Sequence, residues 1–343
     1  MLAINPNVLF ATSTSSSIAY SSHTSVSVPF LVNASRKHCA FSGGSAAIFR
    51  SAMAVWRCLA QEMSTKVLDP SLYPLHRCKI IHLVRHAQGY HNVAGELDQL
   101  AYISPEFFDA TLTPLGWKQV DALRKHVADT KLKAGVELVV VSPLSRTMQT
   151  AVGVFGGNNV VDGEITTPLM VEGVRENHPA ISSSASAPFV AVEWCREHMG
   201  VHPCDRRQSA SIYKKLFPAI DFSELETDED SWWKADVRES HEDIYSRCRA
   251  LIKWLLNRSE KQIAIVSHSS FLAHLVSLFG DDCTPVIKNE LHNGYANCEL
   301  RTVLVADRRA IGKPSITTDF PGGIPGGPSA GSDLADSLSN GPL

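Results

Sequence analysis

Residues Lys79–Asn92 read KIIHLVRHAQGYHN, an apolar run that breaks abruptly into polar residues. Ile80, Ile81, Leu83 and Val84 form a short stretch rich in β-branched residues, the composition of a buried strand. Arg85 and His86 follow at once, then the small and polar residues Ala87, Gln88 and Gly89, with Asn92 six positions past the histidine. In open α/β sheets, ligands bind in the crevice above the carboxyl ends of the strands. A cation, an imidazole and an amide placed there mark a candidate active site.

The same arrangement occurs twice more. ELVVVSPLSRTMQT carries Arg146 and QIAIVSHSSF carries His268, each just past a β-rich run. Two arginines and two histidines converge if the three strands lie side by side in one sheet. These residues resemble the histidine phosphatase superfamily in its phosphoglycerate mutase-like branch. The first motif stands as Arg85, His86, Ala87 and Asn92, the second as Ser142, Arg146, Thr150 and Ala151, and the third as His268 followed by Ser269. The family pattern has glycine where Ala87 and Ser269 stand. Both replacements are small enough for backbone to approach a phosphate, but a left-handed backbone at either would be strained. The resemblance spans about Lys79 to Val305 and implies an α/β fold, a three-layer α/β/α sandwich with a mostly parallel sheet.

Phosphoryl transfer needs a nucleophile, cations matched to the charge on the equatorial oxygens, and an acid for the leaving oxygen. A histidine is partly neutral at physiological pH, and a neutral ring nitrogen can attack phosphorus to give phosphohistidine. His86 takes that role here, as the resemblance also implies. Arg85 and Arg146 are the oxygen clamps, because guanidinium donors match phosphate geometry and stay charged. His268 is a further donor, best when protonated, and Asn92 and Ser269 stand at the rim. In the resembling family the acid is a Glu followed shortly by a Gly, a spacing that Glu197 and Gly200 fit; Glu193 is the rival. Arg206 and Arg207 are candidates for a substrate carboxylate or second phosphate. The mechanism needs no metal or other cofactor, and the histidines show no HxH or HExxH spacing. The substrate is then a small phosphate ester, with hydrolysis or mutase chemistry as outcome. A non-catalytic phosphometabolite-binding protein is the competing reading.

With 343 residues, 44% hydrophobic and 20% charged, the composition is that of an ordinary globular chain. A net charge of −3 gives no basic stripe for nucleic acid, so phosphate must be held by a few placed cations. No stretch reaches the 18 or so apolar residues that a membrane span needs. Eight cysteines show neither CxxC pairs nor a regular framework, which points to small core residues in a reducing compartment.

The first 61 residues hold twelve serines, four Lys or Arg and no acid, the composition of an organellar transit peptide, most like a plastid one. Residues 1–62 are therefore read as a leader to the chloroplast, 63–310 as the catalytic domain, and 311–343, rich in Gly, Pro and Ser, as a disordered tail. Translation from Met63 would give a cytoplasmic form instead.

Within the domain, strands are expected from 79, 137, 166 and 262, with an edge strand from Tyr295. Thr113-Pro114 and Ser240 with Asp243 open amphipathic helices, and Arg146 lies in the first turn of another. Gly95–Ala110 reads as a loop over the site and Glu172–Pro188 as a surface loop or lid. Glu193 and Glu197 share one face if their stretch is helical, and the acidic run Asp221–Asp230 reads as a solvated face. A reporter fused to residues 1–62 is expected in chloroplasts when expressed in leaf cells; a reporter left in the cytosol contradicts the leader assignment.

Overall fold

The computed structural model describes residues 72–157, 166–174 and 178–312, so the leader and nearly all of the tail lie outside the described residues. Strand β1 (Cys78–Arg85) contains the apolar run Ile80–Val84. It lies between β5 (Gln262–Ser267), parallel to it, and β6 (Leu300–Ala306), antiparallel to it at the sheet edge. On the other side of β5 come β2 (Leu138–Val141), β3 (Phe189–Ala191) and the two-residue β4 (Ile220–Asp221), all parallel. Among the described residues the sheet is six-stranded, in the order β4-β3-β2-β5-β1-β6.

Side chains alternate across a strand, and here the alternation sorts two cores. Val84, Val139, Val141, Ala264 and Val266 face one way, against α2 (Pro114–Asp129) and α3 (Ser145–Phe155). Ile81, Leu83, Leu138, Val140, Ile263 and Ile265 face the other, against α5 (His241–Asn257) and α6 (Ser269–Ser277). Both faces are covered, which gives the three-layer sandwich and explains why the central strands read as unbroken apolar runs. The two helices of the first face pack closely because Gly153 has no side chain: a Cβ there would lie 2.3 Å from Val120 Cγ1.

Two helix starts follow their sequence signals. Thr113 Oγ1 accepts the Gly116 N–H at 3.0 Å with Pro114 in the first helical position. Ser240 and Asp243 form a capping box at the start of α5. No described helix is long and apolar enough to cross a membrane.

Four other expectations are corrected by tertiary context. Thr166–Met170 is no strand; Met170 makes only an isolated bridge to Ile181, and the third strand is Phe189–Ala191, three residues long and paired with Val139–Val141. Gly95–Ala110 is not one loop. A helix, α1 (Tyr90–Leu97), runs into it, followed by the 3-10 turns Gln99–Ile103 and Pro105–Phe107, in which the Leu100 and Glu106 N–H groups are taken by the Asp98 and Ser104 side chains. Glu193 and Glu197 share no helix face, because Glu193–Cys195 is a single 3-10 turn and Arg196 is extended. The last strand begins at Leu300 rather than Tyr295, after a turn in which Cys298 has a φ of 59°. Between β3 and α5 lie the turn Pro203–Asp205 and α4 (Ala210–Leu216).

Candidate active site

The register of three adjacent parallel strands brings the motifs together. Arg85 pairs with Ser267 and Val141 with Val266, so the residues that follow, His86, Ser142 and His268, emerge side by side. The His86 N–H donates to Ser267 O at 2.9 Å and the Ser142 N–H to Val266 O at 3.1 Å, which holds the strand ends flush. The His86 and His268 rings lie 5.1 Å apart between centroids, nearly edge to face.

Hydrogen bonds set the tautomer of each ring. His86 Nδ1 lies 2.7 Å from the Ala87 carbonyl oxygen, which can only accept, so Nδ1 carries the proton and Nε2 holds the lone pair. Arg146 Nη2 can only donate, and it lies 3.2 Å from His268 Nδ1. His268 therefore keeps its proton on Nε2 and gives it to Ser142 Oγ at 2.8 Å. Burial, with Arg146 and Arg85 behind it, holds His86 well below the ordinary histidine range. Burial and then Arg146 do the same to His268. His268 is thus a neutral donor in the ligand-free protein, and only an arriving phosphate dianion would favour its protonation.

Arg146 is buried in the first turn of α3. Its Nη2 pairs with Asp205 Oδ1 at 2.9 Å and its Nη1 donates to the Cys204 carbonyl. The turn itself is held from a distance: Asp109 accepts the Ser145 N–H at 2.8 Å, the Ser145 hydroxyl, and the Gln208 amide. Asp109 keeps a φ of 45° to do so. Arg85 Nη1 donates to Tyr295 O at 2.7 Å.

Neither family glycine is needed for its backbone freedom. Among the described residues, Ala87 and Ser269 are both absent from the positions with positive φ. The Ala87 methyl lies in the core, its N–H donates to Thr150 Oγ1 at 3.0 Å, and Ser269 is the first residue of α6. Thr150 belongs to the second motif, and its role is to tie the turn after β1 to α3.

The remaining candidates divide. Asn92 is buried, and its Oδ1 accepts the Gly89 N–H at 3.0 Å, so it shapes the turn after β1. Glu197 sits at the start of α6, accepting the Phe271 N–H at 3.1 Å and the Ser270 N–H at 3.3 Å, next to the helix that carries His268 and close enough to Arg85 to favour its charge. Glu193 is elsewhere engaged. It is buried between Arg207 Nε at 2.7 Å and Arg196 Nη1 at 3.0 Å. Arg207 has every N–H occupied by Glu193 and by backbone of residues 208 and 227–229, so it braces that loop. Arg206 is exposed, its guanidinium 5.7 Å from the Phe108 ring and 5.5 Å from the Trp233 ring. The acidic run is solvated at Asp221, Glu226, Asp228 and Glu229, as expected, but Asp230 departs from it: its side chain is a buried, two-pronged partner of Arg196 at 2.7 and 2.9 Å.

Sequence reasoning missed Asp205, Asp109 and His91. Asp205 reaches Arg146 and Asp109 reaches Ser145 from other parts of the fold, and no local pattern signals them. His91 stood in the opening stretch; its position in the first turn of a helix was the missing signal.

The family model described as "Histidine phosphatase superfamily (branch 1)" matches residues 81–171 and 211–310. The chain belongs to the histidine phosphatase superfamily. It is 58% identical to a phosphoglycerate mutase-like protein of Arabidopsis thaliana over 258 residues, 75% of this chain and 95% of that one. It is 54% identical to phosphoglycerate mutase-like protein 1 of the same plant, over 75% and 91% of the two chains. Among solved structures, a mycobacterial glucosyl-3-phosphoglycerate phosphatase is 18% identical, with 65% of this chain and 90% of that chain covered and a TM-score of 0.35.

Within this superfamily member, the two carboxylates should separate in experiment. Glu193→Gln breaks a buried ion pair and is expected to cost about 3–5 kcal/mol of stability in urea unfolding. Glu197→Gln is expected to lower turnover most on substrates with poor leaving groups while the unfolding midpoint moves far less. The opposite pattern would exchange their roles.

Proposed function

We propose that this histidine phosphatase superfamily chain transfers phosphoryl groups from small phosphate esters through a phosphohistidine on His86. The observation that supports it most is the 2.7 Å hydrogen bond from His86 Nδ1 to the Ala87 carbonyl, which leaves Nε2 as a neutral ring's lone pair beside two guanidinium groups. A binding site for phosphate alone has no use for a nucleophile held in that tautomer.

In the first half-reaction, His86 Nε2 attacks phosphorus as the bond from phosphorus to the ester oxygen breaks. Charge on the equatorial oxygens is met by Arg85 and Arg146, whose positions are set before substrate arrives, and by His268, whose Nε2–H exchanges Ser142 Oγ for an oxygen of the bound phosphoryl group. The departing oxygen needs a proton, which we assign to Glu197. Its Oε2 makes only the 3.3 Å bond to Ser270, so that oxygen is the easier one to free. In the second half-reaction Glu197 takes a proton from water, the oxygen of which attacks phosphorus, and the bond to Nε2 breaks to return neutral His86 and free phosphate. If a hydroxyl of the substrate takes the place of water, the same steps give a mutase. Asn92 and Ser269 line the entrance in this reading, and Arg206 is the exposed cation left for an anionic part of the leaving group.

The test is a single-turnover reaction with ³²P-labelled phosphoglycerate and with an aryl phosphate, quenched in alkali to preserve phosphohistidine. Label on the wild-type protein that is absent from His86→Ala is the expected result; release as free phosphate identifies a phosphatase and return to another hydroxyl identifies a mutase. A folded wild-type protein that acquires no label would favour the non-catalytic phosphometabolite-binding alternative.

A further inference from the structure

Five buried side-chain nitrogens have no hydrogen-bond partner among the described residues: Arg85 Nε, His91 Nδ1, Trp117 Nε1, Arg146 Nε and Arg196 Nε. A buried donor without an acceptor loses its hydrogen bonds to water and gains none, so such groups are rare and call for an explanation. Two of the five belong to the phosphate clamp already described. A third, His91, belongs to a residue to which the steps above give no part.

The ring of His91 lies 5.5 Å from that of His86 between centroids, with Tyr102 edge-on 6.2 Å away on another side. Its tautomer follows from its neighbour. Asn92 Oδ1 accepts the Gly89 N–H, so the other amide atom, Nδ2, is the donor, and it lies 3.2 Å from His91 Nε2. His91 Nε2 therefore accepts, and a neutral His91 carries its proton on Nδ1, the nitrogen without a partner. Burial first, then Arg146, His86 and Arg85, keeps the ring neutral. The result is an uncharged N–H donor beside the nucleophile, in a pocket that already holds two permanent cations.

The local sequence leaves the edge of the ring that carries that donor uncrowded. A Cβ on Gly89 would lie 2.7 Å from His91 Nδ1 and 2.8 Å from Cε1. Gly89 ends the turn after His86, and Tyr90 begins α1, which carries His91 in its first turn. The segment Gly89–Asn92 thus fixes the turn, the tautomer and the unpartnered nitrogen together.

We propose that His91 is a catalytic residue of this pocket, donating its Nδ1–H to a phosphoryl oxygen as His86 Nε2 attacks phosphorus. This rests on the phosphohistidine reading given above, and it adds a third imidazole to the two that the sequence motifs mark. The donor keeps its proton throughout; it stabilises charge on the oxygen without changing the balance of either half-reaction.

Two substitutions separate a donor from a packing role. His91→Asn retains an N–H near the δ position, whereas His91→Leu has similar size and no donor. Two quantities are measured for each: the dissociation constant of inorganic phosphate, and the single-turnover rate of phosphohistidine formation from an aryl phosphate. His91→Leu is expected to weaken phosphate binding and slow labelling by about ten- to a hundredfold, the size of one hydrogen bond to a charged group, and His91→Asn to recover most of that loss. Wild-type values for His91→Leu overturn the proposal, and so do equal losses in the two variants. A wild-type protein that binds phosphate but never labels His86 contradicts the transfer reading alone. The phosphate measurement then still decides whether His91 is an oxygen donor.

Discussion

Arg146 places a guanidinium with 1% of its surface exposed above the ends of three strands, and that charge needs an acid in the same interior. The acid is Asp205, 2.9 Å away and equally buried. Taking both ions out of water is unfavourable, and removing one partner of such a pair typically costs about 3–5 kcal/mol. The turn Pro203–Asp205 is therefore fixed over the strand ends by the same side chain that we propose holds phosphate. The chemistry of the histidines follows from it as well. With Arg146 and Arg85 at hand and little water, His86, His91 and His268 cannot afford a proton each, and a neutral imidazole is what a nucleophile and two N–H donors require.

Further ion pairs support that turn. Arg196 Nη2 donates to the Asp205 carbonyl, while the same guanidinium grips Asp230 with two bonds and Glu193 with a third. Arg207 joins Glu193 to the loop 227–229. Arg247 holds Glu239 through two bonds and also donates to the carbonyls of Trp194, Arg196 and Glu197. The long connection between β3 and α5 contains little regular structure, and this lattice of arginines and carboxylates takes the place of a sheet or helix in satisfying its backbone. A connection organised by directed, charge-assisted bonds suits the placement of Asp205 and Glu197, because such bonds fix geometry as well as energy.

The parts of this arrangement that were legible in the sequence are those with a local signature. Strands β1, β2 and β5 announced themselves as apolar runs, because a parallel strand covered on both faces has no polar side to interrupt it. His86, Arg146 and His268 stood out because each follows such a run. The three-residue β3 had too little length to be told from a loop, and Thr166–Met170 had strand-like composition with no partner beyond a bridge to Ile181. Charged residues were the hardest to read. Asp230 and Arg207 sit in runs of polar residues that suggest a wet surface, and only the tertiary fold shows them buried against Arg196 and Glu193. Asp205 and Asp109 act on Arg146 and Ser145 from 59 and 36 residues away, a distance at which spacing carries no information.

The central claim is that His86 Nε2 is a nucleophile aimed into a pocket of fixed oxygen donors. A crystal structure with orthovanadate, which adopts the five-coordinate geometry of a phosphoryl group in transfer, tests it most directly. Vanadium bonded to His86 Nε2 is expected, with its equatorial oxygens on Arg85, Arg146 and His268 and with the Nδ1–H of His86 still on the Ala87 carbonyl. Vanadate bound elsewhere, or held in this pocket with His86 turned so that Nε2 is not its ligand, would contradict it.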